Sequence, residues 1–278
     1  MGTGCNSIPN PDHNRSNVLS LEAHELIDQG RYDEAFPIAE EALKIQMKVL
    51  GNDHPSVATS LNDIGQIYRG QGDLKMAGEF YQRALNIQEK TLGPNHPFLA
   101  IVLDNMAGVY QHECNFVEAE VLFKRALRIQ EIALGPEHTN VARSLNNLGA
   151  LYSELDQFGK AETLYKRALA IREKHFGPNH LMLVAIQHNL GSLYTKMGKF
   201  KQAKPYFERA LSNQESSLGP DHQNLALLLK NYAGLLRKMG SLNKAAELEE
   251  RSKKFLSKMG FEILKKDCPT DLKSPDPV

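Results

Sequence analysis

A loop motif that recurs every 42 residues constrains the fold of this 278-residue chain more than any other feature. Each copy has a glycine at its first position and a histidine at its fourth, and the copies begin at Gly51, Gly93, Gly135, Gly177 and Gly219. A fixed period between about 20 and 50 residues is typical of repeat proteins, in which successive copies of one unit stack on each other. The sequence therefore predicts a repeat protein rather than the two globular domains that the length alone would suggest.

Two amphipathic segments fill the interval between successive loops. In residues 144–152, leucines and a tyrosine recur at helical spacing, so that they lie on one face. Residues 160–176 show a second pattern of this kind, and a short polar turn at 156–159 separates the two segments. Each unit is therefore predicted to be two helices joined by a turn.

Small and large residues recur at fixed positions of these helices. One position of the first helix holds only glycine or alanine: Gly65, Ala107, Gly149, Gly191 and Ala233. One position of the second helix is aromatic in four units: Tyr81, Phe123, Tyr165 and Phe207. Because small residues facing large ones allow helices to approach closely, the two helices of each unit are predicted to pack against each other.

This pattern resembles the tetratricopeptide repeat over residues ~18 to ~258. The family signature appears here as Leu148-Gly149, Tyr152, Ala161, Tyr165 and Ala168, with leucine where the family has an early tryptophan. The 42-residue period and the Leu-Gly-Pro-x-His-Pro loop are similar to the kinesin light chain class of these repeats. The resemblance implies an all-α fold, a right-handed α-solenoid (superhelix) of six helix-turn-helix repeats.

The predicted organisation is one solenoid between two tails. Residues 1–17 are predicted to be a disordered N-terminal tail, 18–259 the repeat solenoid, and 260–278 a C-terminal tail with three prolines among polar residues. The first and last units depart from the pattern, as expected for end units that have no neighbour to cover their outer face.

Composition excludes several classes of protein. Lys and Arg number 33 and Asp and Glu also number 33, so no basic excess is present for binding nucleic acid. The longest apolar stretches are too short to cross a bilayer, so no integral membrane segment is predicted. The three cysteines form no CxxC pair, which opposes a zinc ribbon or a disulfide scaffold and is typical of a cytoplasmic protein.

The balanced net charge hides an uneven distribution along the chain. Residues 1–150 hold 19 acidic and 12 basic residues, whereas residues 151–278 hold 14 acidic and 21 basic residues. A solenoid lays its sequence out along one axis, so these charges do not mix in space. We therefore expect the C-terminal half to attract an acidic partner.

No group of residues indicates catalysis, a cofactor or a metal site. The phosphate-binding, nucleophile-elbow, zinc-protease and dinucleotide motifs are absent, so the chain is predicted not to be an enzyme. The loop histidines are one repeat apart, ~8–10 Å for packed helices, whereas the ligands of one zinc lie ~2 Å from the ion. We expect these histidines to shape the loops.

A column of arginines recurs in the second helices: Arg83, Arg125, Arg167, Arg209 and Arg251. We expect this column on a solvated flank, with local pairs such as Glu79 with Arg83 at i,i+4.

Two adjacent polar columns of the first helix are the candidate binding residues. Asparagine disfavours helix interiors by about 0.5–0.7 kcal/mol relative to alanine, so its recurrence calls for a reason. The amides either hydrogen-bond neighbouring repeats and fix their stacking, or line the concave groove and hold the backbone of an extended peptide. The resemblance supports the second explanation, since family members hold cargo peptides with first-helix asparagines and basic residues. The candidate peptide-binding residues are Asn62, Asp63, Asp104, Asn105, Arg143, Asn146, Asn147, His188, Asn189, Lys230, Asn231 and Arg237.

These observations predict a non-enzymatic, cytoplasmic adaptor or scaffold. It would bind a peptide or helix of a partner protein in its concave groove, with kinesin light chain-like cargo recognition and an acidic partner at the C-terminal half. The alternative is a bacterial envelope or complex-assembly factor, present in the periplasm or at the outer membrane as a lipoprotein trimmed at Cys5. Thr3-Gly4-Cys5 resembles the end of a lipoprotein signal, although the hydrophobic segment of such a signal does not precede it.

Overall fold

The computed structural model describes residues 11–219, 222 and 225–259, which form α-helices joined by short loops. In this part of the chain twelve α-helices and one short 3₁₀ helix, Leu181–Leu183, are present and no strand occurs. The helices are α1 (Pro11–Asp28), α2 (Tyr32–Leu50), α3 (Pro55–Gln71), α4 (Leu74–Leu92), α5 (Leu99–His112), α6 (Phe116–Leu134), α7 (Thr139–Glu154), α8 (Phe158–Phe176), α9 (Val184–Lys196), α10 (Phe200–Leu218), α11 (Ala226–Lys238) and α12 (Leu242–Met259). The prediction of an all-α fold of six helix-turn-helix repeats is confirmed.

The chain divides into two compact units, Met1–Ile129 and Gln130–Val278, with the division inside α6. In the first unit α1 pairs with α2 and α3 with α4, while α2 also contacts α3 and α4 contacts α5. In the second unit α7 pairs with α8, α9 with α10 and α11 with α12, and contacts of α8 with α9 and α10 with α11 join these pairs. Each pair is one 42-residue repeat.

Within a repeat, an aromatic ring of the second helix lies against a glycine of the first. A Cβ atom placed on Gly65, Gly149 or Gly191 would lie only 2.6, 2.8 or 2.9 Å from the ring of Tyr81, Tyr165 or Phe207, respectively. All three rings are buried. The predicted packing of small against large residues is confirmed, and at these positions the ring occupies the space of a side chain.

The loop histidines cap the helices that follow them. The Nδ1 atoms of His54, His96, His138 and His180 accept backbone N–H groups two residues ahead, at 3.1, 3.3, 3.1 and 3.2 Å. Such a bond satisfies an N–H group that the start of a helix leaves without a partner. The preceding Gly93 has φ +86°, a conformation that favours glycine. The loop motif therefore ends one helix and begins the next, as expected.

Neither a cluster of metal ligands nor a membrane-spanning helix occurs among the described residues. Within that part of the chain, no group of three or more His, Cys, Asp or Glu residues could hold a metal ion. None of its helices combines the length and the apolar character that a membrane span requires.

The first helix starts inside the segment predicted to be a disordered tail at residues 1–17, because α1 begins at Pro11. Proline at the first helical position and Asp12 in the first turn both favour a helix start. Residues 1–10 and 260–278, which contain the rest of the predicted tails, lie outside the described residues, and so does Cys5.

The arginines of the second helices link successive repeats across about 36 residues rather than pairing locally. The ion pairs are Arg125–Glu89 at 2.6 Å, Arg167–Glu131 at 2.7 Å, Arg209–Glu173 at 2.5 Å and Arg251–Glu215 at 2.7 Å. Arg125 also donates to the backbone carbonyl of Pro94 in the loop of the preceding repeat, at 3.1 Å. The arginine column therefore helps to hold the stack together.

The expected pair of Glu79 with Arg83 is wrong. The Arg83 guanidinium instead lies over the Phe80 ring, 5.2 Å from its centroid. The position 36 residues before Arg83 holds Met47, where the later repeats have glutamate. Because this inter-repeat carboxylate is missing, Arg83 is the member of the column that packs on a ring.

We expect Gly149→Ala to lower the free energy of unfolding by about 1–3 kcal/mol, because its Cβ would meet the Tyr165 ring. The matched control is Gly234→Ala in α11, where a Cβ has no neighbour within 4 Å. That change should be neutral or raise the free energy of unfolding by up to ~1 kcal/mol through better helix propensity. Urea unfolding followed by circular dichroism checks both, and equal effects of the two substitutions would contradict the packing described.

Candidate peptide-binding face

The first helices of successive repeats contact each other directly. These contacts join α1 with α3 and α3 with α5 in the first unit, and α7 with α9 and α9 with α11 in the second. The second helices are joined instead through long arginine–glutamate pairs. Within each unit the first helices therefore form one continuous face, which we call the inner face. The two predicted binding columns lie on these helices.

In the first unit the two columns hydrogen-bond to each other. The Nδ2 atom of Asn105 in α5 donates to Oδ1 of Asn62 in α3 at 2.8 Å. Asn62 and Asp104 are buried, and Asn105 is half-buried. The bond joins one repeat to the next on the inner face.

Asp63 occupies the asparagine position in α3 and has a partner in the first repeat. Its Oδ1 lies 3.7 Å from Nδ1 of His24 in α1, and Asp63 is buried. A hydrogen bond to Asp63 and the negative charge of that carboxylate raise the pKa of His24, against a smaller opposing effect of burial. A histidine–carboxylate contact thus takes the place of the amide pair at the N-terminal end of this face.

In the second unit the pattern repeats with a histidine in one place. Asn189 Nδ2 donates to Asn146 Oδ1 at 2.9 Å, and Asn231 Nδ2 lies 2.8 Å from Nε2 of His188. Burial lowers the pKa of His188, which favours the neutral ring with an acceptor nitrogen facing Asn231. Each of these bonds spans 43 residues, one repeat plus one position.

These bonds support the stacking explanation for the asparagine column. An asparagine side chain has two N–H donors and an acceptor oxygen, so one bond to a neighbouring repeat leaves capacity for a second partner. Asn147 is half-buried on α7, and Lys230 is exposed on α11. A structural role and a peptide-binding role are therefore compatible on the same face.

Arg237, near the end of α11, pairs with a carboxylate of the last helix. Its Nε lies 2.5 Å from Oε1 of Glu249, and its Nη2 lies 2.6 Å from Oε2 of the same residue. This fork-to-fork geometry gives Arg237 an internal partner in α12. Arg143 in α7 and both Lys230 and Arg237 in α11 lie on helices that carry the asparagines, and of these three Arg237 pairs with Glu249.

Arg172 in α8 is a candidate that the sequence patterns did not identify. Its Nη1 donates to the backbone carbonyl of Met182, and its Nε is buried without an acceptor among the residues described. Burial lowers the pKa of Arg172, and the nearby positive charge of Arg143 lowers it further. Two neighbouring guanidinium groups that are partly withdrawn from water favour the binding of a carboxylate.

The signal for Arg172 was present in the sequence as a break in a column. The equivalent positions of four other repeats hold glutamine: Gln46, Gln88, Gln130 and Gln214. In the first unit this glutamine is structural, since Gln46 donates to Ser20 at 3.0 Å and accepts from Ser60 at 2.9 Å. Arginine therefore replaces a neutral bridging residue with a cation in one repeat only.

The sequence matches the family described as tetratricopeptide repeat over residues 14–90, 69–111, 98–174 and 177–258. Together these matches span most of the chain. No curated protein sequence matches it.

Solved structures with a similar fold include three helical repeat proteins. BtubC (BKLC) from P. vanneervenii has a TM-score of 0.63 and 20% identity, covering 92% of this chain and 96% of that protein. A kinesin light chain-type protein from Podosopora anserina with nearly identical TPR-like repeats has a TM-score of 0.57 and 26% identity, covering 76% and 99%. PilW, a type IV pilus biogenesis factor, has a TM-score of 0.59 and 20% identity, covering 89% and 95%. The first and third likenesses show the fold alone, and the second confirms the resemblance to kinesin light chain-like repeats.

We expect the Asn146–Asn189 bond to stabilise the stack by about 0.5–1.5 kcal/mol, the usual net contribution of a protein hydrogen bond. A double-mutant cycle of Asn146→Ala and Asn189→Ala, measured by urea unfolding, should show this coupling. The control cycle combines Asn147→Ala with Asn189→Ala, since these residues share no hydrogen bond, and should show no coupling. Additive changes in the free energy of unfolding in the first cycle would contradict a stacking role for these asparagines.

Proposed function

Because this chain belongs to the tetratricopeptide repeat family, we propose that it is a non-enzymatic scaffold that binds an acidic, extended peptide of a partner protein. The proposed site comprises Arg143 in α7 and Arg172 in α8, and it extends along the first helices α9 and α11 of the second unit. The observation that favours this site is the buried Nε of Arg172, which has no acceptor among the described residues, together with the positive charge of Arg143, which acts with burial to lower the pKa of Arg172. A tetratricopeptide repeat fold is a scaffold for protein–protein interaction. Our proposal adds the kind of peptide that this protein binds.

The arginine pair supports a carboxylate ligand over a neutral one. A carboxylate between the two guanidinium groups would supply an acceptor to the buried Nε of Arg172, which has none among the described residues. Hydrogen bonds between charged groups are shorter and stronger than neutral ones, and partial burial reduces screening by salt. Such a ligand would also relieve the repulsion between the two cations.

Neighbouring residues offer apolar and amide contacts to the same peptide. Ala185 in α9 and Leu227 in α11 occupy the positions one and two repeats after Arg143, and Leu227 is 52% exposed. The half-buried amides of Asn147 and Asn189 can bond the peptide backbone with the donor capacity that the stack leaves unused. A peptide with carboxylates followed by apolar side chains matches this order.

The kinesin light chain-like repeats of the Podosopora anserina protein, at 26% identity, favour a cargo-type mode of recognition. The cytoplasm, predicted from the few cysteines of the sequence, stays a prediction, because Cys114 is disulfide-bonded and disulfides are rare in cytoplasmic proteins. The envelope-factor alternative rests on Cys5, and PilW, at 20% identity, adds a likeness of fold only.

We expect Arg172→Gln to weaken binding of an acidic peptide about tenfold or more, the effect of losing one charged hydrogen bond. Fluorescence polarisation with a dye-labelled peptide of alternating glutamate and leucine measures this, and a lysine–leucine peptide of equal length tests the sign of the charge. Glutamine is the residue that four other repeats carry here, so the variant should fold normally by circular dichroism.

The matched control is Arg128→Gln, which makes the same change of charge at an exposed position of α6. It should leave the affinity for the glutamate–leucine peptide unchanged. Equal loss in both variants would show a general charge effect, and no loss at Arg172→Gln would overturn the proposed site.

A further inference from the structure

The first unit has an open cavity between α4 and α5, on a face separate from the asparagine columns. Its volume is about 330 Å³, and its apolar lining includes Leu74, Met106, Val109 and Tyr110. Gly78 forms part of the wall, and a Cβ placed there would meet only a methyl group of Val109, at 4.0 Å. The cavity lies beside the turn ends of these helices, next to the start of α4 and the end of α5.

The equivalent place one repeat earlier is filled by an aromatic ring of the chain itself. Phe36 and Tyr68 stand 42 residues before Gly78 and Tyr110. The ring of Phe36 lies edge-on to the ring of Tyr68, with centroids 5.4 Å apart. In the preceding repeat an aromatic side chain of the protein itself therefore packs against the equivalent tyrosine.

Two repeats after the cavity, a carboxylate fills the same place. The Tyr194 hydroxyl donates to Oε1 of Glu162 at 2.8 Å, and these residues stand 84 positions after Tyr110 and Gly78. Side chains thus cover the tyrosine in both of these repeats. Gly78 has no side chain that could cover Tyr110, and the cavity results.

We propose that this cavity binds an aromatic side chain of a partner protein, in the position that Phe36 takes against Tyr68. Met106 and Val109 form a buried apolar floor, and the half-buried ring of Tyr110 offers an edge-to-face contact. The volume is at the lower end of the ~300–1,000 Å³ typical of ligand pockets, which suits one ring rather than a larger ligand.

The rim of the cavity determines which residues flank that ring. Glu79 and Glu113 are exposed carboxylates, and Lys75 is the one cation in the lining. The rim therefore favours lysine or arginine beside the aromatic residue, the opposite charge from the peptide proposed for the second unit, so this inference is independent of that function.

The test uses the tripeptide Ac-Lys-Phe-Lys-amide as probe and the methyl signals of Met106 and Val109 as readout. In ¹³C-methyl NMR of the whole chain, the probe should shift both signals in a saturable way. Ac-Lys-Ala-Lys-amide should lose the shifts because it lacks the ring, and Ac-Glu-Phe-Glu-amide should lose most of them because its charge opposes the rim. No saturable shift with the first probe, or equal shifts with all three, would overturn the proposal.

Variants that close the cavity provide the second arm. Gly78→Phe should fill it as Phe36 does in the preceding repeat, and Gly78→Glu should close it as Glu162 does beside Tyr194. Both variants should abolish the probe-induced shifts. If Gly78→Phe fails to fold by circular dichroism, the result for Gly78→Glu decides the test. Ala246→Phe, the same aromatic substitution at the equivalent position of the last repeat, should leave the shifts intact. Retained shifts in a folded Gly78 variant would overturn the proposal.

Discussion

The rest of the structure depends on the contact between an aromatic ring of the second helix and a glycine of the first. At Gly65, Gly149 and Gly191 the ring lies where a Cβ would be, so the two helices approach as closely as side chains permit. This approach fixes the rotation of both helices about their axes in the repeats that contain these glycines. In those repeats it directs the same column of the first helix to the same face, where the polar residues recur.

Two sets of polar contacts then join the repeats on opposite sides of this apolar layer. On the second helices, arginines pair with glutamates about 36 residues earlier, and on the first helices amides bond to residues 43 positions earlier. The first set neutralises most of one arginine column, and the second uses only part of the hydrogen-bonding capacity of the asparagines. Arg172 stands outside both sets with a buried Nε that has no acceptor in the described part of the chain, and for that reason it marks the candidate carboxylate site.

The sequence predicted the features that recur at one position and missed those that join different positions. Period, helix pairing, small-against-large packing and the loop histidines each follow from a single column. The Asn105–Asn62 bond joins two columns one repeat apart, and a list of columns cannot show which neighbours meet. The predicted Glu79–Arg83 ion pair is wrong because the other arginines of this column pair with glutamates of the preceding repeat rather than with local carboxylates. Arg172 departs from a column of glutamines, whereas Gly78 stands in a column without a common residue type. The role of each depends on the residues that surround it in space.

The central claim is that the guanidinium group of Arg172 receives a carboxylate of the bound peptide. The most direct measurement follows the ¹⁵N-labelled Nε–Hε signals of the arginines while the glutamate–leucine peptide is added. We expect the Arg172 signal to move downfield and its Hε to become protected from exchange with water, while the Arg128 signal stays in place. An unchanged Arg172 signal at saturating peptide would contradict this mode of binding.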